Sequence, residues 1–324
     1  MPYDPQTLIQ TAAYIGGGFA MGFGAVGAAI GEGYTAAQAN LAVSRNPEIS
    51  GDLFKNMLVG QAVAESASIF ALVIAILLLF LDLTNAGLLN AAAALGAGLC
   101  MGLGAIGSGV GSGFPGGAAC FGIARQPAVS SKITTNMLVG SAVCQTPAIF
   151  SMVVALMLIF MTFEGAPLYP TWAALVGAGL STGLAAIGSG YGGGLAAGAS
   201  CSGVARSPET VGNVTTTMLV GQAVAQTPSI FGLLVSFILM FKSFPESTTL
   251  SAAMALLGAG ISMGFGGIGP GVGNGMAAQG AIRWVARRVE SAGELMRIML
   301  VGQAVSQSTA IYAMVVSLVL IFVV

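Results

Sequence analysis

Long apolar stretches, separated by short polar segments, make up most of the chain. Each stretch is longer than the roughly 20 residues that a helix needs to cross the hydrocarbon core of a bilayer. Pro and polar residues interrupt the helical pattern between the stretches. The pattern predicts an all-α transmembrane fold of eight helices. The predicted helices pair as four hairpins, 8–42 with 53–81, 86–122 with 133–162, 172–204 with 214–241, and 250–286 with 293–323.

The second helix of each predicted hairpin carries a closely related segment, so the chain is an internal repeat. The segments are MLVGQAVAESASIF, MLVGSAVCQTPAIF, MLVGQAVAQTPSIF and MLVGQAVSQSTAIY, which begin at Met57, Met137, Met218 and Met299. The repeat divides the chain into hairpin units 1–84, 85–166, 167–247 and 248–324. Glycine is abundant in the first helix of each unit, which predicts close backbone approach between the odd-numbered helices. The bulkier even-numbered helices should then form an outer, lipid-facing layer.

The repeated segment has an acid at its centre in the first unit only. Amides stand 80, 161 and 242 residues further on, at Gln145, Gln226 and Gln307. A carboxyl group in lipid costs about 2.5–3.5 kcal/mol, so Glu65 is a functional candidate. Glu32 is equally far from the first loop, and the hairpin therefore places the two acids at one depth.

Two carboxyls at one depth in a low dielectric cannot both be charged cheaply. One should keep a proton while the other titrates or binds a cation. Hard cations prefer oxygen ligands, and Ser66 beside Glu65 offers a hydroxyl. The alternative is a protonated pair that only bridges two helices.

Composition places the chain in a bilayer. Its hydrophobic fraction is 56% and its charged fraction 6%, against roughly 25% charged residues in a soluble domain. The absence of His excludes imidazole metal sites and His-based catalysis. The net charge of −1 gives no basic surface for nucleic acid. The N-terminus lacks a basic region and a cleavage site, so the first apolar segment is expected to be a retained membrane helix.

The cysteines and two of the prolines are expected to have structural roles. Four cysteines stand singly in apolar segments, which favours small buried residues over a disulfide framework. They are Cys100, Cys120, Cys144 and Cys201. Pro147 and Pro228 follow the central amides of units two and three and are expected to kink their helices, with the freed carbonyls finding partners inside the bundle.

Basic residues lie almost entirely on one side of the predicted membrane. Nine of ten are in or beside the four loops inside the hairpins, at Arg45, Lys55, Arg125, Lys132, Arg206, Arg283, Arg287, Arg288 and Arg297. The other side holds Lys242 together with Asp4, Asp82, Glu164 and Glu246. The positive-inside rule therefore predicts that these loops are cytoplasmic and that both termini are outside.

Repeat one reads GAVGAAIGEGYTAAQANLAVSRNPE from Gly24 to Glu48 and GQAVAESASIFALVIAILLLF from Gly60 to Phe80. The Gly-rich helix, the Arg-x-Pro loop and the mid-helix acid resemble the c subunit, or proteolipid, of rotary F-type and V-type ATP synthases. The resemblance covers the whole chain, four times over. It implies a multi-pass rotor protein of the prokaryotic plasma membrane that forms a c-ring and is itself neither an enzyme nor a cofactor binder.

In that family, a carboxylate on the second helix carries H+ or Na+ past a stator a subunit as the ring turns. The resemblance identifies Glu65 with this acid. It also implies that the loops contact the central stalk through Arg45, Arg125, Arg206 and Arg287. Because three of the four acids are replaced by Gln, it implies one site per four hairpins, which favours pumping at the expense of ATP over synthesis.

Glu32 and the serine after the acid resemble the two-carboxylate, sodium-type subgroup, in which the site lies between adjacent hairpins. Glu65 and Glu32 would then hold Na+. Phe70 departs from this subgroup, whose members often have Tyr there. Repeat four keeps such a Tyr, so the resemblance implies a site completed between two chains in a homo-oligomeric ring. Repeat one would supply Glu32, Val63, Glu65 and Ser66, and repeat four of the neighbour would supply the carbonyl of Val305, Ser308 and Tyr312.

Two other functions remain open at this point. The chain could be a non-translocating spacer in a mixed ring whose separate single-hairpin subunits carry most of the sites. It could also be a pore-forming proteolipid outside any ATPase. The sequence leaves open the choice between H+ and Na+ and the number of chains in a ring.

Overall fold

The computed structural model describes residues 4–81, 87–163, 165–247 and 249–323. Within these ranges all regular structure is helical, and eight helical segments are long and apolar enough to cross a membrane, which confirms the predicted fold class. The α-helices are α1 (Pro5–Arg45), α2 (Ser50–Phe80), α3 (Leu88–Arg125), α4 (Ser130–Cys144), α5 (Thr146–Phe160), α6 (Leu168–Arg206), α7 (Val211–Ala225), α8 (Thr227–Phe241), α9 (Leu250–Val285) and α10 (Ala292–Val323). Asp82, Glu164 and the boundaries predicted at 84/85 and 247/248 involve positions outside the described residues.

The helices form two layers. In the inner layer α1 packs against α3, α3 against α6, and α6 against α9, in the order of the chain. Each outer segment before α10 covers its own inner helix and also contacts the next one along the row, as α2 does with α1 and α3, whereas in the described part of the chain α10 covers the inner helix α9 alone. The hairpin α1–α2 and the hairpin α9–α10 are therefore the two ends of an open row.

Glycines set the spacing of the inner layer. A Cβ atom at Gly27 would lie 2.5 Å from Cα of Ile106, and one at Gly107 would lie 2.5 Å from Cα of Ile187. No side chain fits such a gap, so the glycines allow the close approach that the sequence predicts. Gly269 is the counterpart in the last repeat, and there no atom lies within 4 Å of the added Cβ. The end of the row therefore carries the same contact surface without a partner.

The outer layer is kinked in units two and three, as expected from the prolines. Inside the spans predicted over 133–162 and 214–241, a break separates α4 from α5 and another separates α7 from α8. Pro147 and Pro228 explain both breaks, since proline lacks the amide hydrogen and clashes with the carbonyl four residues earlier. The equivalent positions in α2 and α10 are Ala67 and Thr309, and both helices are continuous.

The loops inside the hairpins are short. Each contains one 3₁₀ turn, and these turns are Pro47–Ile49, Pro127–Val129, Pro208–Thr210 and Val289–Ser291. All four loops follow the C-terminal ends of the parallel inner helices, so their basic residues gather at one end of the bundle. The four cysteines are free and buried, which confirms the expectation for them.

Candidate functional site

A side-chain amide links the centre of each of repeats two and three to the repeat before it. Nε2 of Gln145 donates to the carbonyl oxygen of Val63 at 2.9 Å and to Oγ of Ser112 at 2.7 Å. Nε2 of Gln226 donates to the carbonyl oxygen of Val143 at 2.7 Å. Val143 is the counterpart of Val63, so the two repeats use the same link.

Repeat four makes the same link with a different amide. Here Nδ2 of Asn274, on the inner helix α9, donates to the carbonyl oxygen of Val224 at 3.3 Å and to Oε1 of Gln307 at 2.8 Å. Gln307 is paired with an inner-helix polar residue, as Gln145 is with Ser112, but here the inner residue holds the donor. Each of the three internal junctions thus has an amide N–H group facing a valine carbonyl of the preceding repeat.

Glu65 occupies the same position in repeat one, but it has no preceding repeat in the chain. Its side chain is exposed at the free edge of the α1–α2 hairpin, whereas Gln145, Gln226 and Gln307 are only 7–8% exposed. Glu32 is partly buried on α1 and lies close enough to interact electrostatically with Glu65. Ser66 donates its hydroxyl to the carbonyl of Val63 at 2.7 Å, which leaves the lone pairs of the hydroxyl oxygen available.

The partners expected from repeat four lie at the opposite edge of the row. Val305 and Tyr312 are 69% and 66% exposed on α10, and Ser308 is half-buried. The hydroxyl of Ser308 donates to the carbonyl of Val305 at 2.7 Å, as Ser66 does in repeat one. Within one chain the structure therefore separates the two halves of the expected site.

A second amide series was missed in the sequence, one helical turn before the central position. Nε2 of Gln222 donates to the carbonyls of Gly140, in the preceding repeat, and of Gly193, at 2.9 and 3.0 Å. Gln303 bridges its two repeats in the same way. Gln61 donates only to the carbonyl of Glu32, at 3.3 Å. The recurring Gly-Gln pair in three of the four segments is the signal that could have revealed this series.

The loop arginines expected to contact a stalk lie at one end of the bundle and are partly held by aromatic rings. The guanidinium carbons of Arg45 and Arg125 lie 4.3 and 4.5 Å from the centre of the Phe121 ring. The guanidinium of Arg287 lies 4.8 Å from the Trp284 ring. Stacking of this kind leaves the N–H groups of arginine available for other partners.

Within the described ranges, no three or more acid or cysteine side chains group closely enough to hold a metal ion. Glu32 and Glu65 form a pair, and any further ligand must come from a carbonyl, a hydroxyl or a molecule outside the chain. Two carboxylates with added neutral oxygens suit a hard monovalent or divalent cation, or a shared proton.

Comparison with known proteins gives one consistent result. The sequence model of the ATP synthase C subunit family matches four times, at residues 15–78, 95–158, 176–239 and 257–320. The K subunit of the A-type ATP synthase of Methanocaldococcus jannaschii is 32% identical over 201 residues, which are 62% of this chain and 84% of that protein. The ATP synthase c subunit of Natranaerobius thermophilus is 49% identical over 77 residues, 24% of this chain and 88% of that protein. The ATP synthase c subunit of Thermotoga maritima is 49% identical over 67 residues, 21% of this chain and 79% of that protein.

Proposed function

Since the chain belongs to the ATP synthase C subunit family, as a membrane rotor subunit with four hairpins, we propose that it carries H+ or Na+ on Glu65. The ion is loaded and released as a ring of identical chains turns past a stator, with one working site per four hairpins. The chain contributes no catalytic group and requires no cofactor; the ion is its cargo.

The observation that carries this proposal is the change of hydrogen-bond character at one junction. In repeats two to four a neutral amide donates a hydrogen to the valine carbonyl of the preceding repeat. Repeat one has carboxyl groups at both Glu32 and Glu65, and an ionised carboxylate is only an acceptor. A carbonyl oxygen is also only an acceptor, so it cannot form a hydrogen bond with an ionised carboxylate. The junction therefore needs a proton or a metal cation in the place that the amide hydrogen takes elsewhere.

In this proposal the repeat that faces Glu65 comes from another copy of the chain. Gln145 and Gln226 both reach back to the repeat before them, so the equivalent direction from Glu65 leads to repeat four of a neighbouring copy. Val305 occupies the position of Val63 there, with Ser308 and Tyr312 on the same exposed helix. The proposed site thus combines the two carboxyls of one copy with these three residues of the next. Ser66 shares the carbonyl of Val63 with Gln145 and therefore lies at the junction with repeat two.

The surfaces of the two end hairpins support a ring. Gly269 on α9 presents an open counterpart of the glycine contacts that join the internal repeats, and Val26 on α1 is the exposed counterpart of Ile106 and Ile187, which receive those contacts. The interface between copies would repeat the interface between internal repeats, and such a head-to-tail contact forms a ring when its rotation closes.

The loop end of this ring is proposed to face the cytoplasm of a prokaryotic cell and to contact the central stalk through the loop arginines. The support is the concentration of basic residues in all four loops. The outer helices would face membrane lipid and, at one position of the ring, the stator.

Substitution of Glu65 by Gln tests the proposal. The variant should still fold and assemble, because the other three repeats carry Gln at this position. Its ATP-driven ion transport in proteoliposomes should fall to background, whereas Glu48→Gln in the first loop should transport normally. Transport at an unchanged rate in the Glu65→Gln variant contradicts the proposal.

The ion can be identified in the same preparation. A carbodiimide that attacks protonated membrane acids should label Glu65 in the unmodified ring. Protection by Na+ at constant pH identifies Na+ as the cargo, and labelling that responds only to pH identifies H+.

A further inference from the structure

Two of the three carbonyls that face the neutral repeats are unusual because proline has removed one of their hydrogen-bond donors. Val143 stands four residues before Pro147, and Val224 stands four residues before Pro228. Neither carbonyl can receive the backbone N–H bond that an unbroken helix supplies, since proline has no amide hydrogen. The side chain of Gln226 donates to the carbonyl of Val143 at 2.7 Å. Each proline-freed carbonyl is thus the acceptor of the amide in the next repeat.

The carbonyl at the end of the chain is different. The helix α10 continues through residue 309, so the amide of Thr309 donates to the carbonyl of Val305 as in any α-helix. The hydroxyl of Ser308 also donates to this carbonyl, at 2.7 Å. A carbonyl oxygen has two lone pairs, and both are already engaged. Val63 shows that such a carbonyl still accepts a third partner, since it receives Ser66 and Gln145.

On the basis of the ion site proposed above, we propose that Thr309 is a positioning residue that keeps binding of the ion weak enough for release. Its backbone amide acts through the carbonyl of Val305, which shares its lone pairs among several donors. Repeats two and three carry Pro at this position, and there the amide link never needs to open. The working junction thus differs from two of the three silent ones in the acceptor as well as in the acid. The third silent acceptor, the carbonyl of Val63, lies in an unbroken helix like that of Val305.

Few other titratable groups face this junction. Glu32 on α1 and Tyr312 on α10 of the neighbouring copy are the two to consider, and α9 has no titratable residue before Arg283. Asp52 and Lys55 on α2 lie at its loop end, where they form an ion pair at 3.7 Å. None of these groups is altered in the Thr309 variants described below. A change in the pH or Na+ dependence of Glu65 labelling therefore reports on the carbonyl of Val305.

The test compares Thr309→Pro with Thr309→Ala in the assembled ring, in the absence of the stator. Ala is the residue of repeat one at this position, and Pro is that of repeats two and three. Carbodiimide labelling of Glu65 is measured against pH and against Na+ concentration. One additional hydrogen bond corresponds to a roughly tenfold tighter hold. The pH of half-labelling should rise by about one unit in the Pro variant, or Na+ should protect at about one tenth of the concentration. The proposal is wrong if the pH of half-labelling and the Na+ concentration that gives half-protection are the same in the two variants.

A second pair of variants decides the question even if Thr309→Pro fails to assemble. Gln226→Glu places an acid opposite the proline-freed carbonyl of Val143, and Gly193 offers no second carboxyl there. Gln226→Glu should be labelled up to a pH about one unit higher than Gln226→Glu combined with Pro147→Ala. An equal pH of half-labelling in the single and the double variant contradicts the proposal. This result is independent of transport by Glu65, so failure of the proposed function would be recognised separately.

Discussion

The open glycine at position 269 gives the sharpest test of how copies of the chain meet. Gly188, its counterpart in repeat three, would place a Cβ 2.6 Å from Cα of Ile268, whereas a Cβ at Gly269 meets nothing within 4 Å. If the junction between copies repeats the internal one, Gly269 packs on Val26 of the next copy. Gly269→Ala should then leave the single chain intact and damage the ring.

The size of the effect follows from the geometry. An added methyl group that meets backbone cannot be relieved by a rotamer change, and overpacking of this kind costs about 1–3 kcal/mol. The gain in helix propensity from Gly to Ala, about 1 kcal/mol, is present in both the free and the assembled chain and cancels. The association constant at each junction should therefore fall by about 5- to 150-fold.

The assay is the temperature or detergent concentration at which the purified ring dissociates, read by native mass spectrometry. Gly280→Ala is the matched control, because Gly280 also has nothing within 4 Å and its counterparts Ala118 and Ala199 already carry a Cβ. The helix content of the dissociated chain should equal that of the unmodified protein for both variants. A Gly269→Ala ring as resistant as the Gly280→Ala ring refutes the reasoning.

Three further predictions have defined outcomes. Glu32→Gln should move half-labelling of Glu65 to lower pH, since a neighbouring carboxylate no longer opposes ionisation; an unchanged labelling curve would show that the two acids do not interact. Gln303→Met removes two hydrogen bonds to backbone carbonyls of a fully buried side chain and should cost about 1–2 kcal/mol in thermal unfolding, with a smaller loss for Gln61→Met. Lys242→Met removes a 3.3 Å bond to a carbonyl in the last turn of α10, so hydrogen exchange should accelerate there and stay constant in the centre of that helix.

The repeats, the helices and the two layers could be predicted from the sequence because they depend on periodicity and composition. The apolar pattern sets helix length, and the glycine stripe sets which helices crowd together. Pro147 and Pro228 also pointed correctly to disturbed helices, although the pattern alone placed a single helix across each break.

The hydrogen bonds at each junction could be predicted only in part, because sequence spacing gives the depth of a residue along a helix but not the direction of its side chain. It placed Glu32 and Glu65 at one depth, and the equivalent pairs Ser112–Gln145 and Asn274–Gln307 are hydrogen-bonded. It could not show that Asn274 holds the donor in repeat four, nor that Gln222 bridges two repeats, since these depend on rotamers and on the distance between backbones.

Covalent fusion of the hairpins in one fixed order also has a mechanical consequence. In a rotor assembled from separate hairpins with and without the acid, two acids could be adjacent or widely separated, depending on expression levels. In this chain the acid of repeat one is always followed by the amides of repeats two to four, because one polypeptide connects them. In a ring of this chain alone, the acids would therefore be separated by identical angles, whatever the rate of synthesis.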